Sequence, residues 1–207
     1  MSKTIPIMTI LLLSALLLWL LLAWNPVSTP SSRHEQLELA EQPAGGDFQL
    51  TSARGALKLS DLRGKVVLLY FGYASCPDIC PTNLAIIALA LRELTPTERE
   101  RVQVVFVSVD PQRDTPERLA EYVDYFHPNI IGVTGTDQAL AAVAKQYGAA
   151  YRRAEASDSA MGYMIDHSAH SYVIDESGSL VRVLDHATPA EKIVATLRRH
   201  LNEPESI

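Results

Sequence analysis

The apolar positions of the chain fall into three rhythms, and each predicts a different element. From Ile5 to Trp24 (IPIMTILLLSALLLWLLLAW) there is no charge, and 17 of 20 positions are apolar. At about 1.5 Å of rise per residue, such a run matches the roughly 30 Å hydrocarbon core of a bilayer and predicts one membrane-spanning helix. The run is long for a secretory signal and ends in Ala23-Trp24-Asn25-Pro26 rather than a small-x-small cleavage site, so an uncleaved anchor over 1–24 is expected. Lys3 precedes the run and Arg33 is the first cation after it, which favours a cytoplasmic N-terminus and an exported C-terminal part. Residues 25–46, rich in Pro, Ser, Glu and Gln, read as a tether, and a soluble domain is expected over 47–207.

Within that domain the second rhythm is the short apolar run. Leu50 and then Leu57 and Leu59 flank Ser52-Ala53-Arg54-Gly55, a hairpin turn. Val66–Phe71, Val102–Val109 and Asn129–Val133 are continuous apolar runs, the mark of strands buried on both faces. The third rhythm is helical. It covers Pro81–Leu94, Pro116–Phe126 and Asp137–Tyr147, with apolar residues three and four apart. Their order, strand, helix, strand, helix, strand, helix, predicts parallel pairing through right-handed crossovers. Ser171–Asp175 and Leu180–Leu184 then alternate around Glu176-Ser177-Gly178-Ser179 as a hairpin, and Pro189–Leu201 is a closing amphipathic helix. A parallel half followed by an antiparallel hairpin and a terminal helix predicts an α/β, thioredoxin-like domain behind a single N-terminal transmembrane helix.

Charge narrows the partners. The net charge is −6, which disfavours nucleic acid and supplies no basic patch for anionic headgroups. Two cysteines are too few for a disulfide-stapled scaffold or a four-cysteine zinc site. They stand together, in Cys76-Pro77-Asp78-Ile79-Cys80, after the first long strand and before the first long helix, where open α/β sheets place their sites. Pro77 and Pro81 predict a loop across the pair, with Pro81 opening the helix and Cys80 near its cap, where the helix dipole favours a thiolate. Such a pair can close a disulfide or grip a soft ion such as Cu(I), and three intervening residues do not decide between the two.

A metal site needs a third ligand. Of six histidines, His34 lies in the tether, while His127, His186 and His200 sit at element ends as solvated or capping residues. His167 and His170 remain, beside the strand that borders the cysteine loop in a thioredoxin-like sheet. Residues three apart on an extended segment face opposite ways, so only one of the two can face the sulfurs. Met164 reads as a packing residue. Asp110, at the end of the second core strand, is a carboxylate that can support the ligands from behind or act as a weak oxygen ligand, and Asp78 lies between the cysteines, where it can tune their field.

Three motifs together resemble the Sco/SenC family, the membrane-anchored thioredoxin-like copper proteins of cytochrome c oxidase assembly. They are Tyr70-Phe71-Gly72-Tyr73 through Cys76-Pro77-Asp78-Ile79-Cys80-Pro81, Ser108-Val109-Asp110-Pro111-Gln112-Arg113-Asp114-Thr115, and Asp166-His167-Ser168. The resemblance implies that Cys76, Cys80 and His167 are ligands of Cu(I) or Cu(II), and it prefers His167 to His170. It implies a copper chaperone, a carrier rather than an enzyme, with an upstream copper donor and the CuA-bearing subunit of cytochrome c oxidase as acceptor. A thiol-disulfide reductase keeping the acceptor cysteines reduced, with Cys76 and Cys80 as the redox-active pair, is the alternative. The opening residues lack an Arg-rich, Ser-rich presequence, so a bacterial inner membrane with the domain in the periplasm is expected rather than a mitochondrion.

Overall fold

In the computed structural model the described residues are 12–19, 43–154 and 162–202. The chain divides into two units, Met1–Arg33 and His34–Ile207. In the first, residues 12–19 are helical with exposed leucines. The expected span of Ile5–Trp24 and the tether lie largely outside the described residues, among which no helix is long and apolar enough to cross a membrane.

The second unit is built on a seven-stranded sheet. The strands are β1 (Gln49–Ser52), β2 (Gly55–Lys58), β3 (Val66–Gly72), β4 (Val102–Ser108), β5 (Ile130–Thr134), β8 (Ser171–Ile174) and β9 (Leu180–Leu184), arranged 2-1-5-4-3-8-9. A separate ribbon pairs β6 (Tyr151–Ala154) with β7 (Met164–His167). The helices are α1 (Ile79–Glu93), α2 (Pro96–Glu100), α3 (Pro116–Asp124), α4 (Asp137–Gln146) and α5 (Ala190–Asn202). Strands β3, β4 and β5 run parallel, whereas β8 joins β3 antiparallel and carries β9. The parallel core and the antiparallel edge make the arrangement thioredoxin-like, as the strand and helix order predicts.

Every residue of β3 and β4 is buried, which explains why these two strands read as continuous apolar runs rather than alternating ones. Helices α1 and α5 pack together, and α3 covers β5 and β1. The helix starts follow local chemistry: Thr95, Thr115 and Thr136 each accept a backbone N–H three residues on, and proline takes the first helical position after Thr95 and Thr115.

One expectation is corrected, and two elements are added. Helix α1 begins at Ile79 with Asp78 as its cap, so Cys80 lies inside the first turn and Pro81 is the third helical residue. Pro81 still fits, because an N–H in the first turn has no intrahelical acceptor to lose. The short helix α2 occupies a stretch for which no element was predicted, started by Thr95 and Glu98 in a reciprocal capping box. The β6–β7 ribbon was not expected either, because Tyr151-Arg152-Arg153-Ala154 is half polar and only four residues long.

A buried Cys-Cys-His constellation

The sulfurs of Cys76 and Cys80 and an imidazole nitrogen of His167 all lie within 4.8 Å of one another, and all three residues are buried. Three segments converge to place them. The first is the end of β3. Cys76 sits in a turn in which its N–H donates to the Tyr73 carbonyl (3.2 Å). Cys80 lies one turn further on, its sulfur against Gly72. A Cβ on Gly72 would stand 2.6 Å from Cys80 Sγ and 2.9 Å from Phe106, so the absence of a side chain there is what admits the sulfur.

The second segment follows β4. Asp114, fully buried, accepts the Ser108 hydroxyl (2.6 Å) and the Ala74 N–H (2.8 Å), which pins the cysteine turn to the neighbouring strand end. Arg118 adds a bond to Ser75 Oγ (2.8 Å). Asp110 is buried as well, but its carboxylate is taken: Arg113 Nε donates to one oxygen (2.5 Å) and the Tyr163 hydroxyl to the other (2.5 Å). Among the described residues it is not part of the cluster around the sulfurs. Arg113 also stacks on Tyr163, its guanidinium carbon 3.8 Å from the ring centre, and donates to the Tyr163 carbonyl (3.0 Å). Asp110 therefore fastens the segment that leads into β7. Asp78, as the helix cap, is exposed.

The third segment is β7 itself, ending at His167. Its Ile165 N–H donates to the Tyr73 hydroxyl (3.3 Å), and the Tyr73 and Tyr70 rings meet the His167 imidazole edge to face at 5.9 and 6.4 Å. His167 Nδ1 is 3.1 Å from the Ser168 carbonyl, which can only accept, so Nδ1 carries the proton. That leaves the Nε2 lone pair 3.2 Å from Cys80 Sγ. Fixing the tautomer from behind in this way suits an imidazole that offers its other nitrogen to a metal or to a thiol proton.

His167 and His170 do not share one strand. Ser168 N–H turns away to the Ala150 carbonyl (2.8 Å), and β8 then starts at Ser171 against β3, so a corner separates the two histidines. Only His167 reaches the sulfurs; His170 Nε2 lies 3.7 Å from the exposed Asp185 carboxylate. Met164 opens β7 and is half-buried. His127 is a turn residue whose Nδ1 accepts the Asn129 N–H (3.0 Å), and His34 lies outside the described residues.

The expected pull of the helix dipole toward a thiolate is overridden at Cys80. Burial, reinforced by the Cys76 thiol next to it, pushes the Cys80 thiol well up. Burial likewise pushes up the Tyr70 phenol, with Cys80 adding to the effect, and the Tyr73 phenol. Burial thus favours the protonated form of Cys80.

The SCO1/SenC family model matches residues 37–202. The chain belongs to the SCO1/SenC family. It is 37% identical over 166 residues to a SCO2-like protein of Rickettsia felis, covering 80% of each chain. Among solved structures, Bradyrhizobium japonicum ScoI with copper bound is 35% identical, with a TM-score of 0.69 over 76% of this chain and 99% of that one. Yeast Sco1 with copper bound is 31% identical, with a TM-score of 0.71 over 79% of this chain and 92% of that one. The SCO1/SenC match covers the whole thioredoxin-like unit from β1 to α5, and with it all three cluster residues. Gly72, Tyr73, Asp114 and Ser168 also build the site, yet sequence reasoning did not single them out. Asp114 stood inside the quoted Ser108–Thr115 motif, where Asp110 drew the attention.

Proposed function

We propose that this SCO1/SenC protein is a copper chaperone that takes up copper outside the cytosol through Cys76, Cys80 and His167 and delivers it to the CuA-bearing subunit of cytochrome c oxidase. The observation that carries this reading is the convergence of two thiols and one tautomer-fixed imidazole in a buried pocket. Two soft sulfurs and a nitrogen form a three-coordinate set suited to Cu(I) and tolerable for Cu(II). The copper-bound ScoI and yeast Sco1 structures support the choice of metal. Copper is cargo here, and the chain's own groups govern its exchange. Each thiol gives up its proton as a bond to the metal forms, so uptake releases protons, and the raised Cys80 thiol keeps its proton until then. Cys76, 5% exposed against none for Cys80 and His167, is the ligand an acceptor thiol meets first, which allows stepwise exchange starting there. An N-terminal anchor in a bacterial inner membrane would hold the site on the periplasmic side.

A thiol-disulfide reductase is the second reading, favoured by two cysteines four residues apart that form no disulfide and by His167 Nε2 beside Cys80 as a proton acceptor. The test is Cu(I) binding to the reduced full-length chain in detergent, in competition with a chelator, for wild type, Cys76→Ser, Cys80→Ser and His167→Ala. One copper per chain, lost in all three variants, is the expected result. Binding indifferent to His167 would refute the ligand set and favour the reductase.

A further inference from the structure

Beside the Cys-Cys-His cluster lies a second group of nitrogen donors that the site does not use. Register places Ser171 opposite Leu184 in the β8–β9 hairpin, so His170 and Asp185 face each other just beyond it, and His186 follows. Among the described residues, neither His170 Nδ1 nor His186 Nδ1, both buried atoms, has a hydrogen-bond partner. Buried polar atoms without partners are uncommon, and two of them at one hairpin end leave two imidazole nitrogens open to a ligand. His186 is close enough to Asp78, His167, His170 and Cys76 to feel all four electrostatically. The segment is also held in place: Ala187 adopts φ +54, left-handed backbone costly for a side chain, with its N–H on Asn83 Oδ1 (3.4 Å). Asn83 sits buried on α1, one turn after Cys80, and donates to Ser171 Oγ (3.2 Å). The carboxamide thus ties the histidine loop to the cysteine helix, and the exposed Asp78 and Asp185 carboxylates leave the mouth of this corner acidic.

We propose that His186, with His170 beside it, is a receiving position for copper(I), from which the ion passes to Cys76, Cys80 and His167. The step is ligand exchange without redox change. Copper(I) leaves imidazole nitrogen, bonds form to two sulfurs and to His167 Nε2, and the two thiol protons go to solvent. Imidazole is a competent but weaker partner for Cu(I) than thiolate, which gives the transfer its direction. This inference rests on the copper reading of the cysteine site and adds a route into it.

The test follows copper capture by the reduced full-length chain in detergent from a coloured Cu(I)–chelator complex, in stopped flow, for wild type, His170→Gln, His186→Gln and the double variant. Capture about tenfold slower in His186→Gln, slower again in the double variant, with final copper occupancy unchanged, is expected. Wild-type rates in the double variant would overturn the proposal while leaving the cysteine site intact. A large loss of equilibrium occupancy in His186→Gln would also overturn it, making His186 a resident ligand. If wild type itself takes no copper, the chaperone reading and this one fail together.

Discussion

Gly72→Ala tests how the sulfur site is made. The added methyl carbon would lie 2.6 Å from Cys80 Sγ and 2.9 Å from Phe106, against ordinary contacts of about 3.5–4.0 Å. Something must move by about an ångström, and the neighbours are a fully buried sulfur and a fully buried ring. Overpacking of this kind costs about 1–3 kcal/mol. For a domain of this size each kcal/mol lowers Tm by about 2–4 °C. Metal bonds tolerate shifts of only about 0.2 Å, so a displaced Cys80 should weaken copper binding by tenfold or more. Gly132→Ala is the control: its Cβ would meet Leu119 Cβ at 2.8 Å and the Leu119 carbonyl oxygen at 3.0 Å, where β5 packs under α3, away from the cysteines. Thermal melting and chelator competition on both variants should show two destabilised proteins, of which only Gly72→Ala binds copper poorly. Copper affinity within twofold of wild type in Gly72→Ala would refute the claim that this glycine makes room for the ligand, and an equal loss in Gly132→Ala would show that strain anywhere in the sheet suffices.

Three further predictions probe the surroundings. Asp114→Ala removes a buried acceptor of two hydrogen bonds that hold the cysteine turn, so urea unfolding should show a loss of about 3 kcal/mol, with copper binding also weakened; a loss below about 1 kcal/mol would mean that the turn is held by other contacts. Glu98 is held down to about 2 by Arg198, which donates from Nε (2.7 Å) and Nη2 (3.2 Å). A depressed carboxylate contributes stability above its unfolded value near 4.5 and loses it as pH falls toward 2, so the Tm deficit of Arg198→Ala seen at pH 6 should shrink on acidification, and a constant deficit would argue against the pairing. Oxidising Cys76 and Cys80 to a disulfide removes two of three donors, so the oxidised chain should retain no copper until a thiol reductant restores it, and copper uptake by the fully oxidised form would contradict the ligand set.

The elements whose apolar period was strong were legible. β3 and β4 are buried from end to end, which turns a strand into an unmistakable apolar run, and the helices from Pro116 and Asp137 begin where threonine caps them. The β6–β7 ribbon was illegible for the opposite reason. Its two strands are four residues each, Arg152 and Asp166 form a 3.1 Å ion pair across it, and the buried positions of β7 include Asp166 and His167, so no apolar period marks it. That gap mattered, because His167 ends this ribbon. Treating 167 to 171 as one extended segment allowed either histidine to face the sulfurs, whereas the chain turns a corner at Ser168 and changes partner.

Asp110 and Cys80 show a limit of a different kind. A carboxylate at the end of a core strand, on the edge that carries the cysteines, reads equally well as a ligand or as a fastening. Which it is depends on Tyr163, 53 residues away in sequence, whose hydroxyl occupies one of its oxygens while Arg113 takes the other. Cys80 at a helix start reads as a thiolate from the dipole alone, but an ionised sulfur there would lie between Gly72, Phe106 and two tyrosines, and the cost of charge in such surroundings exceeds what one helix end returns. The same burial that holds the proton on Cys80 makes a bound cation the natural means of removing it.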